Sequence, residues 1–416
     1  MKVKVVIVSS GQPSANPRAL KEAILLAENN YEVTFIYCPI SKWADSFDKF
    51  IFEKYKNIKW IKAGYHFSEN PFLNKYARVR KKIWGFIFKL IGNKFDSAIK
   101  SSILFYQELL ATTKSVNADL YIGHNLGALP VIINVAKKYN SKTIFDFEDF
   151  HRGEHIVNGF EWNKIKLIED TFAPLLDAAI AASPLIAKEY TLLYNSLHIN
   201  TTLNCFPLQF SNERIIELTT HPIKLFWFSQ TIGKERGLEN VIAALGKMKQ
   251  NKFELTLLGN HNDDTKTYFN KVATDNNFNN KSIKYLQPVA EVEIVSIAAE
   301  HHIGISSEMP TTLNRDLCLT NKIFMYLLAG NAIIFSNTKA QALFLKENSN
   351  IGSLFELHSI KSLVNILENY LNDYSLLFSQ QNKSFMLAKN IFNWDIEKTN
   401  HLKNINEVIK KNSKFY

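Results

Sequence analysis

The sequence is poor in the residues that build metal and redox centres. Its 3 cysteines, Cys38, Cys205 and Cys318, are widely separated and odd in number. That pattern gives neither a zinc-ligand spacing nor a disulfide framework and points to buried thiols in a reducing compartment. His301-His302 has no third ligand near it, and Asp263-Asp264 sits in a polar turn, so no metal and no other cofactor is expected. GxSxG, P-loop and HExxH patterns are absent. No apolar run reaches the roughly 18–20 residues that span a bilayer. The opening MKVKVVIVSSG is too short in its apolar part for a signal peptide and reads as a first strand. A cytoplasmic protein is the expectation. Acidic residues are also in deficit, with 39 Asp and Glu against 49 Lys and Arg for a net charge of +10. A basic surface attracts nucleic acid, anionic membrane or phosphorylated small molecules. Without paired Cys/His ligands or basic runs interleaved with regular aromatics, nucleic acid is the poorest of the three.

What the sequence does have is alternation. The 416 residues suffice for two cores, and 46% hydrophobic with 21% charged residues is ordinary for folded protein. The apolar run at 4–9 reads as a buried parallel strand, and further strands are expected at 32–38, 118–124, 142–147, 178–182 and near 201–204. Helical patterns at 17–28, 128–138 and 163–172 lie between them, the first with Asn16 as N-cap and Pro17 at its first position. After a connection at 211–221 the alternation restarts. Strands are expected at 223–228, 253–258, 282–285, 303–306 and 332–336, with helices at 237–248, 266–275, 291–300 and 322–329, then a mainly helical remainder. Such alternation predicts parallel sheets covered by helices.

One segment departs from this pattern. Residues 78–82 are strongly basic and 83–91 (IWGFIFKLI) strongly apolar. On a helix, Lys82, Gly85, Lys89 and Gly92 share a narrow face, so the apolar perimeter calls for burial in a core or an interface. A basic flank beside Trp and Phe equally suits peripheral contact with anionic lipid through 78–91.

The chemistry-bearing stretch is IGISSEMPTTLNRDLCLTNKIFMYLLAGNAIIFSNT, from Ile303 to Thr338. Glu308 follows the end of a parallel strand, where ligands bind in open α/β sheets. Thr320, Asn321 and Lys322 open an apolar helix whose free N–H groups suit a diphosphate. Lys322 opposes the helix dipole, and a bound anion would justify it.

Here the sequence resembles retaining glycosyltransferases of family 4, whose corresponding helix reads NK-(hydrophobic)-FEY-(two residues)-AG against Asn321-Lys322-Ile323-Phe324-Met325-Tyr326-Leu327-Leu328-Ala329-Gly330. NPRALKEAILLAENNYEVTFI, ADLYIGHNLGALP, TIFDFEDFHRGE and the tail FNWD resemble further segments of that family. The resemblance implies a GT-B fold: two facing Rossmann-like doubly wound domains, here 1–212 for the acceptor and 213–385 for the nucleotide sugar, with a helical tail at 386–416. It implies metal-independent transfer, with retention, to a polysaccharide or lipid-linked acceptor. Donor phosphates would meet Arg236 and Lys234, although Gln230 stands where the family has Arg. Thr320, Asn321 and Lys322 would complete the cradle. The family's spaced glutamate pair is absent, because Leu317 and Met325 occupy its positions; Glu308, or else Asp316, would supply the first carboxylate. His124 would face the sugar, while Gly11, Gln12 and Glu148 would lie on the acceptor side. Met325 and Gln230 also suit a catalytically silent nucleotide-sugar-binding or scaffold protein, and a GT-B sugar epimerase shares the architecture.

Overall fold

A computed structural model of the chain describes residues 2–211, 222–249 and 252–410. The connection expected at 211–221 lies, beyond Ser211, outside the described residues. The chain divides into two compact units. The first comprises the residues up to Thr202, Thr312–Asn314 and those from Lys398 onward; the second comprises Leu203–Thr311 and Arg315–Glu397.

The first unit is built on β1 (Lys4–Ser9), β2 (Glu32–Tyr37), β3 (Lys59–Lys62), β4 (Leu120–His124), β5 (Lys142–Phe147), β6 (Ala178–Ala181) and β7 (Ile199–Thr201). They form one 7-stranded sheet in the order β3-β2-β1-β4-β5-β6-β7, and every pairing is parallel. The central strands are buried along nearly their whole length, as a sheet covered on both faces demands. Helix Pro17–Glu28 starts as the sequence predicts, with the Asn16 side chain accepting from the Ala19 amide. The chain leaves β1 toward β2 and leaves β4 toward β5. Their carboxyl ends, with Ser9 beside His124, therefore flank the crevice where open α/β sheets bind ligands.

The second unit repeats the design with β8 (Ile223–Thr231), β9 (Phe253–Asn260), β10 (Ile283–Leu286), β11 (Ile303–Ser306), β12 (Ala332–Ser336) and β13 (Gly352–Phe355). The 6-stranded order is β10-β9-β8-β11-β12-β13, again parallel throughout, with its switch point between β8 and β11. Gly304 fixes one helix on this sheet. A Cβ there would lie 2.3 Å from Tyr326 Cγ, so only glycine lets the Tyr326 ring lie against β11. The Tyr326 hydroxyl has the Phe226 and Ile305 carbonyls at 3.2 and 3.1 Å as acceptors. Helix Asn321–Ala329 is thereby held against β8 and β11.

Residues 45–114, which carry no clear alternation, fold mainly as helices Asp45–Lys54, Pro71–Ile91, Ser97–Ser102 and Tyr106–Lys114. On Pro71–Ile91 only Asn74 and Ala77 are buried. Ile83, Phe86 and Leu90 are 54%, 62% and 64% exposed, so the described residues do not supply the burial that their apolar character calls for. No helix among the described residues is long and apolar enough to cross a membrane. The final helix, Trp394–Lys410, places Ile405 and Val408 in the first unit's core with Val5, Ile7 and Ile122.

Candidate functional site

The second unit's switch point gathers most of the residues that the sequence singles out. β11 ends at Ser306, and the Glu308 backbone N–H is anchored on Ser336 Oγ at 2.9 Å. That turns the Glu308 carboxylate toward the first turn of helix Asn321–Ala329, where it accepts from Lys322 Nζ at 2.5 Å. The two side chains are 8% and 7% exposed. Lys322 Nζ also sits 5.6 Å from the Trp227 ring centroid, which a cation tolerates over an aromatic face. The lysine that opposes the helix dipole is thus balanced by a buried carboxylate. Such a pair offsets its own desolvation only while both partners remain.

Thr320 is the N-cap of this helix, but its side chain makes no capping bond. Its Oγ1 is buried without a partner, as is Ser306 Oγ. Backbone N–H groups in a first turn have no acceptor within their own helix. Here the unpaired Thr320 hydroxyl and Lys322 stand beside them, groups suited to binding an oxyanion. Asn321 is exposed at the same end.

The loop at 231–237 joins this site from β8. Glu235 and Gly237 adopt φ of 59° and 77°, and a Cβ on Gly237 would approach Ser307 Cβ to 2.9 Å. Ser307 Oγ donates to the Arg236 carbonyl at 2.8 Å, which ties the loop to the residue preceding Glu308. The Arg236 guanidinium reaches Ser229 Oγ at 3.4 Å. Lys234 is drawn elsewhere, with its Nζ 4.2 Å from the Tyr268 ring centroid. Arg236 is therefore joined to the residue beside Glu308 through its backbone, while its guanidinium lies at Ser229 and Lys234 lies over Tyr268. Gln230 is exposed, and Met325 is 1% exposed in the core. Asp316 accepts from the Lys339 amide at 2.8 Å and pairs with Lys339 Nζ at 2.9 Å, so it is engaged at the start of helix Lys339–Glu347.

The first unit treats its singled-out residues differently. Gln12 is buried and bridges Asp48 at 2.9 Å, Asp45 at 3.2 Å and the Ser41 amide at 2.5 Å, which binds the first loop to helix Asp45–Lys54. Gly11 would meet nothing closer than 3.6 Å if it carried a Cβ. His124 is 1% exposed. Its Nε2 is 2.6 Å from Glu22 Oε2, and its Nδ1 is 3.6 Å from Asp146 Oδ2. Glu22 also holds His401 Nε2 at 2.7 Å, and Arg18 Nε donates to Asp146 at 2.5 Å. Burial alone would raise the Glu22 carboxyl, but the two histidines outweigh it and hold the group well below its usual range. Burial would likewise lower His124, yet Glu22 and Asp146 raise it above an ordinary imidazole. Glu148 lies just beyond β5; burial, with Asp146 and Asp149 nearby, raises its carboxyl. No group of three or more His, Cys, Asp or Glu able to hold a metal occurs among the described residues.

Solved structures share this architecture along nearly the whole chain. A sucrose-phosphate synthase from Thermosynechococcus elongatus superposes with a TM-score of 0.71 at 10% identity, over 98% of this chain and 99% of that one. The fold is GT-B. The Anabaena protein HepE, solved in complex with UDP and glucose, gives a TM-score of 0.69 at 13% identity over 97% of this chain and 100% of that one. WaaG, a glycosyltransferase involved in lipopolysaccharide biosynthesis, gives 0.64 at 10% identity over 98% and 100%. No family model matches the sequence, and no curated protein sequence does so.

Sequence reasoning did not find Arg18, Glu22, Asp146 and His401 as a linked set. A signal existed for two of them. On helix Pro17–Glu28, Arg18 and Glu22 fall on the face that also carries Ala19 and Leu26, and charges on an apolar face need partners.

Proposed function

We propose that this chain is a glycosyltransferase of the family 4 type. The second unit binds a nucleotide-sugar donor, and the first unit, within 1–212, serves the acceptor, a polysaccharide or lipid-linked glycan. The observation that carries the reading is the switch point of the second unit. There the buried Glu308–Lys322 pair stands beside a helix N-terminus with the unpaired Thr320 hydroxyl. Arg236, Lys322 and the first-turn amides hold the diphosphate, with Asn321 at the rim and Lys234 as an outer cation. Glu308 orients Lys322 and lies toward the sugar. As the bond from the anomeric carbon to the donor phosphate breaks, the acceptor oxygen bonds to that carbon on the same face. Its proton passes to the departing phosphate, so configuration is retained without a metal. Catalysis is then positioning and electrostatic stabilisation of the leaving diphosphate. His124, held between Glu22 and Asp146, acts as a positioning residue for the acceptor crevice, with Glu148, Gly11 and Gln12 along it.

HepE is solved with UDP and with UDP-glucose, which makes uridine nucleotides the first donors to try. The test is nucleoside diphosphate release and sugar transfer by the purified chain against a panel of nucleotide sugars, alongside Arg236→Ala and Glu308→Ala. Turnover lost in both variants supports the transferase. One specific observation favours a silent binding protein: Met325 is sealed in the core where the resemblance expects a ribose-binding glutamate. Binding without turnover across a panel of acceptors would select that second reading, and failure to bind any nucleotide would defeat both.

A further inference from the structure

The first unit holds a cavity of about 840 Å³ that the residues above do not engage. It opens between helix Pro71–Ile91, helix Phe160–Phe172 and the loops that follow β1 and β4, where Ser10 and Gly127 line it. Its polar wall is cationic: Arg78, Lys81, Lys82 and Lys164 face it, and Glu161 is the sole carboxylate of the lining. Glu161 is already engaged by Lys164 at 2.6 Å, and Arg78 is held by Asn74 at 2.8 Å. Lys81 and Lys82 have no acidic partner among the described residues. Burial, then the neighbouring charge of Lys164, makes Lys81 easier to deprotonate than a free lysine, and Glu161 only partly opposes this. Four cations gathered around a concave surface with a single carboxylate among them cost free energy that a bound anion returns.

The same helix turns from charge to apolar surface within a quarter of its circumference. Phe72, Tyr76, Val79, Ile83, Phe86 and Leu90 recur at intervals of three and four residues and are 86%, 59%, 48%, 54%, 62% and 64% exposed. Val79 and Phe86 border the lysine face.

We propose that this cavity is an acceptor subsite that recognises a phosphate or diphosphate group through Arg78, Lys81, Lys82 and Lys164. It rests on the transferase reading for the word acceptor, but its chemistry can be measured without turnover. Two sources of that group fit the cations: a lipid phosphate, whose chain would lie along the exposed apolar face, and a free phosphorylated sugar.

The experiment is calorimetric titration of the full chain, with its nucleotide site saturated by UDP, using farnesyl diphosphate, farnesol and inorganic pyrophosphate as probes. Farnesyl diphosphate is expected to bind at least tenfold more weakly to Lys81→Ala/Lys82→Ala than to the parent chain. The charge-preserving Lys81→Arg/Lys82→Arg variant should keep most of the affinity, and farnesol should not compete. Pyrophosphate binding as tightly as farnesyl diphosphate assigns the free source; a large preference for the prenyl compound assigns the lipid. No binding of either diphosphate by the parent chain overturns the subsite. So does equal binding by parent and alanine variant. UDP titrates the second unit separately, so its failure to bind counts against the donor reading and not against this one.

Discussion

Replacing Glu308 by glutamine keeps its shape and removes its charge, leaving the Lys322 ammonium 7% exposed with no counter-ion. Stripping one partner from a buried pair costs about 3–5 kcal/mol, whereas exchanging both for neutral groups of similar size is often nearly neutral. At roughly 2–4 °C per kcal/mol for a domain of this size, Glu308→Gln should lower the melting transition of the second unit by about 6–20 °C. Glu308→Gln/Lys322→Met should recover most of that loss while remaining inactive. If a nucleoside diphosphate meets Lys322, it supplies the missing negative charge in the single variant. UDP at about 100 times the parent's dissociation constant stabilises the parent by about 2.7 kcal/mol, and the same UDP concentration should stabilise Glu308→Gln by more. Urea unfolding followed by near-ultraviolet circular dichroism, with and without UDP, reads both quantities. A single variant within about 0.5 kcal/mol of the parent would refute the buried pair. Equal UDP gains in the two proteins would refute the contact between Lys322 and the diphosphate.

Three further outcomes follow from other residues. His301 has the Ile297 carbonyl 2.6 Å from Nδ1 and the Thr256 hydroxyl 2.8 Å from Nε2, a match for the neutral ring. Burial lowers its pKa from 6.5 to about 4. The unfolded chain therefore takes up this proton first, so stability is intact above pH 6.5 and falls by about 3 kcal/mol as the pH drops through about 4. Urea midpoints measured across that range should show the slope, and His301→Phe should flatten it. Gly304→Ala should cost about 3 kcal/mol, by forcing the Tyr326 ring away from β11, and should weaken UDP binding with it. Gly11→Ala should change stability by less than about 0.5 kcal/mol, because the space around it is open; calorimetry of both variants checks the contrast.

The doubly wound design was readable because central parallel strands are apolar along their whole length, as in VVIV of β1 and AIIF of β12. The edges were not. β3 reads KWIK and is half-exposed, and β13 is a 4-residue strand following Asn350 and Ile351, so neither shows a sustained run. The region 45–114 was hard to organise for a different reason: helices Asp45–Lys54 and Pro71–Ile91 leave Phe47, Phe50, Phe86 and Leu90 exposed, so their apolar faces match no core in the chain's alternation. At the site, Glu308 and Lys322 were each recognisable from local position, one at a strand end and one in a first turn. Their pairing across 14 residues was not, since it depends on Ser336 and Trp227 aiming both side chains. Local pattern reports where a side chain starts; which partner it reaches depends on packing from distant segments. The Glu22 network, completed by His401 from 379 residues away, is the extreme case.

That last contact bears on how the protein is made. Ile405 and Val408 belong to the first unit's core, and His401 neutralises one side of the buried Glu22. During synthesis the first 200 or so residues must wait on the ribosome without those groups while the whole second unit is translated. The amino-terminal half then emerges with an unfilled apolar seam and a buried acid lacking one of its two imidazole partners. The first unit can therefore complete its core only after the second has been translated.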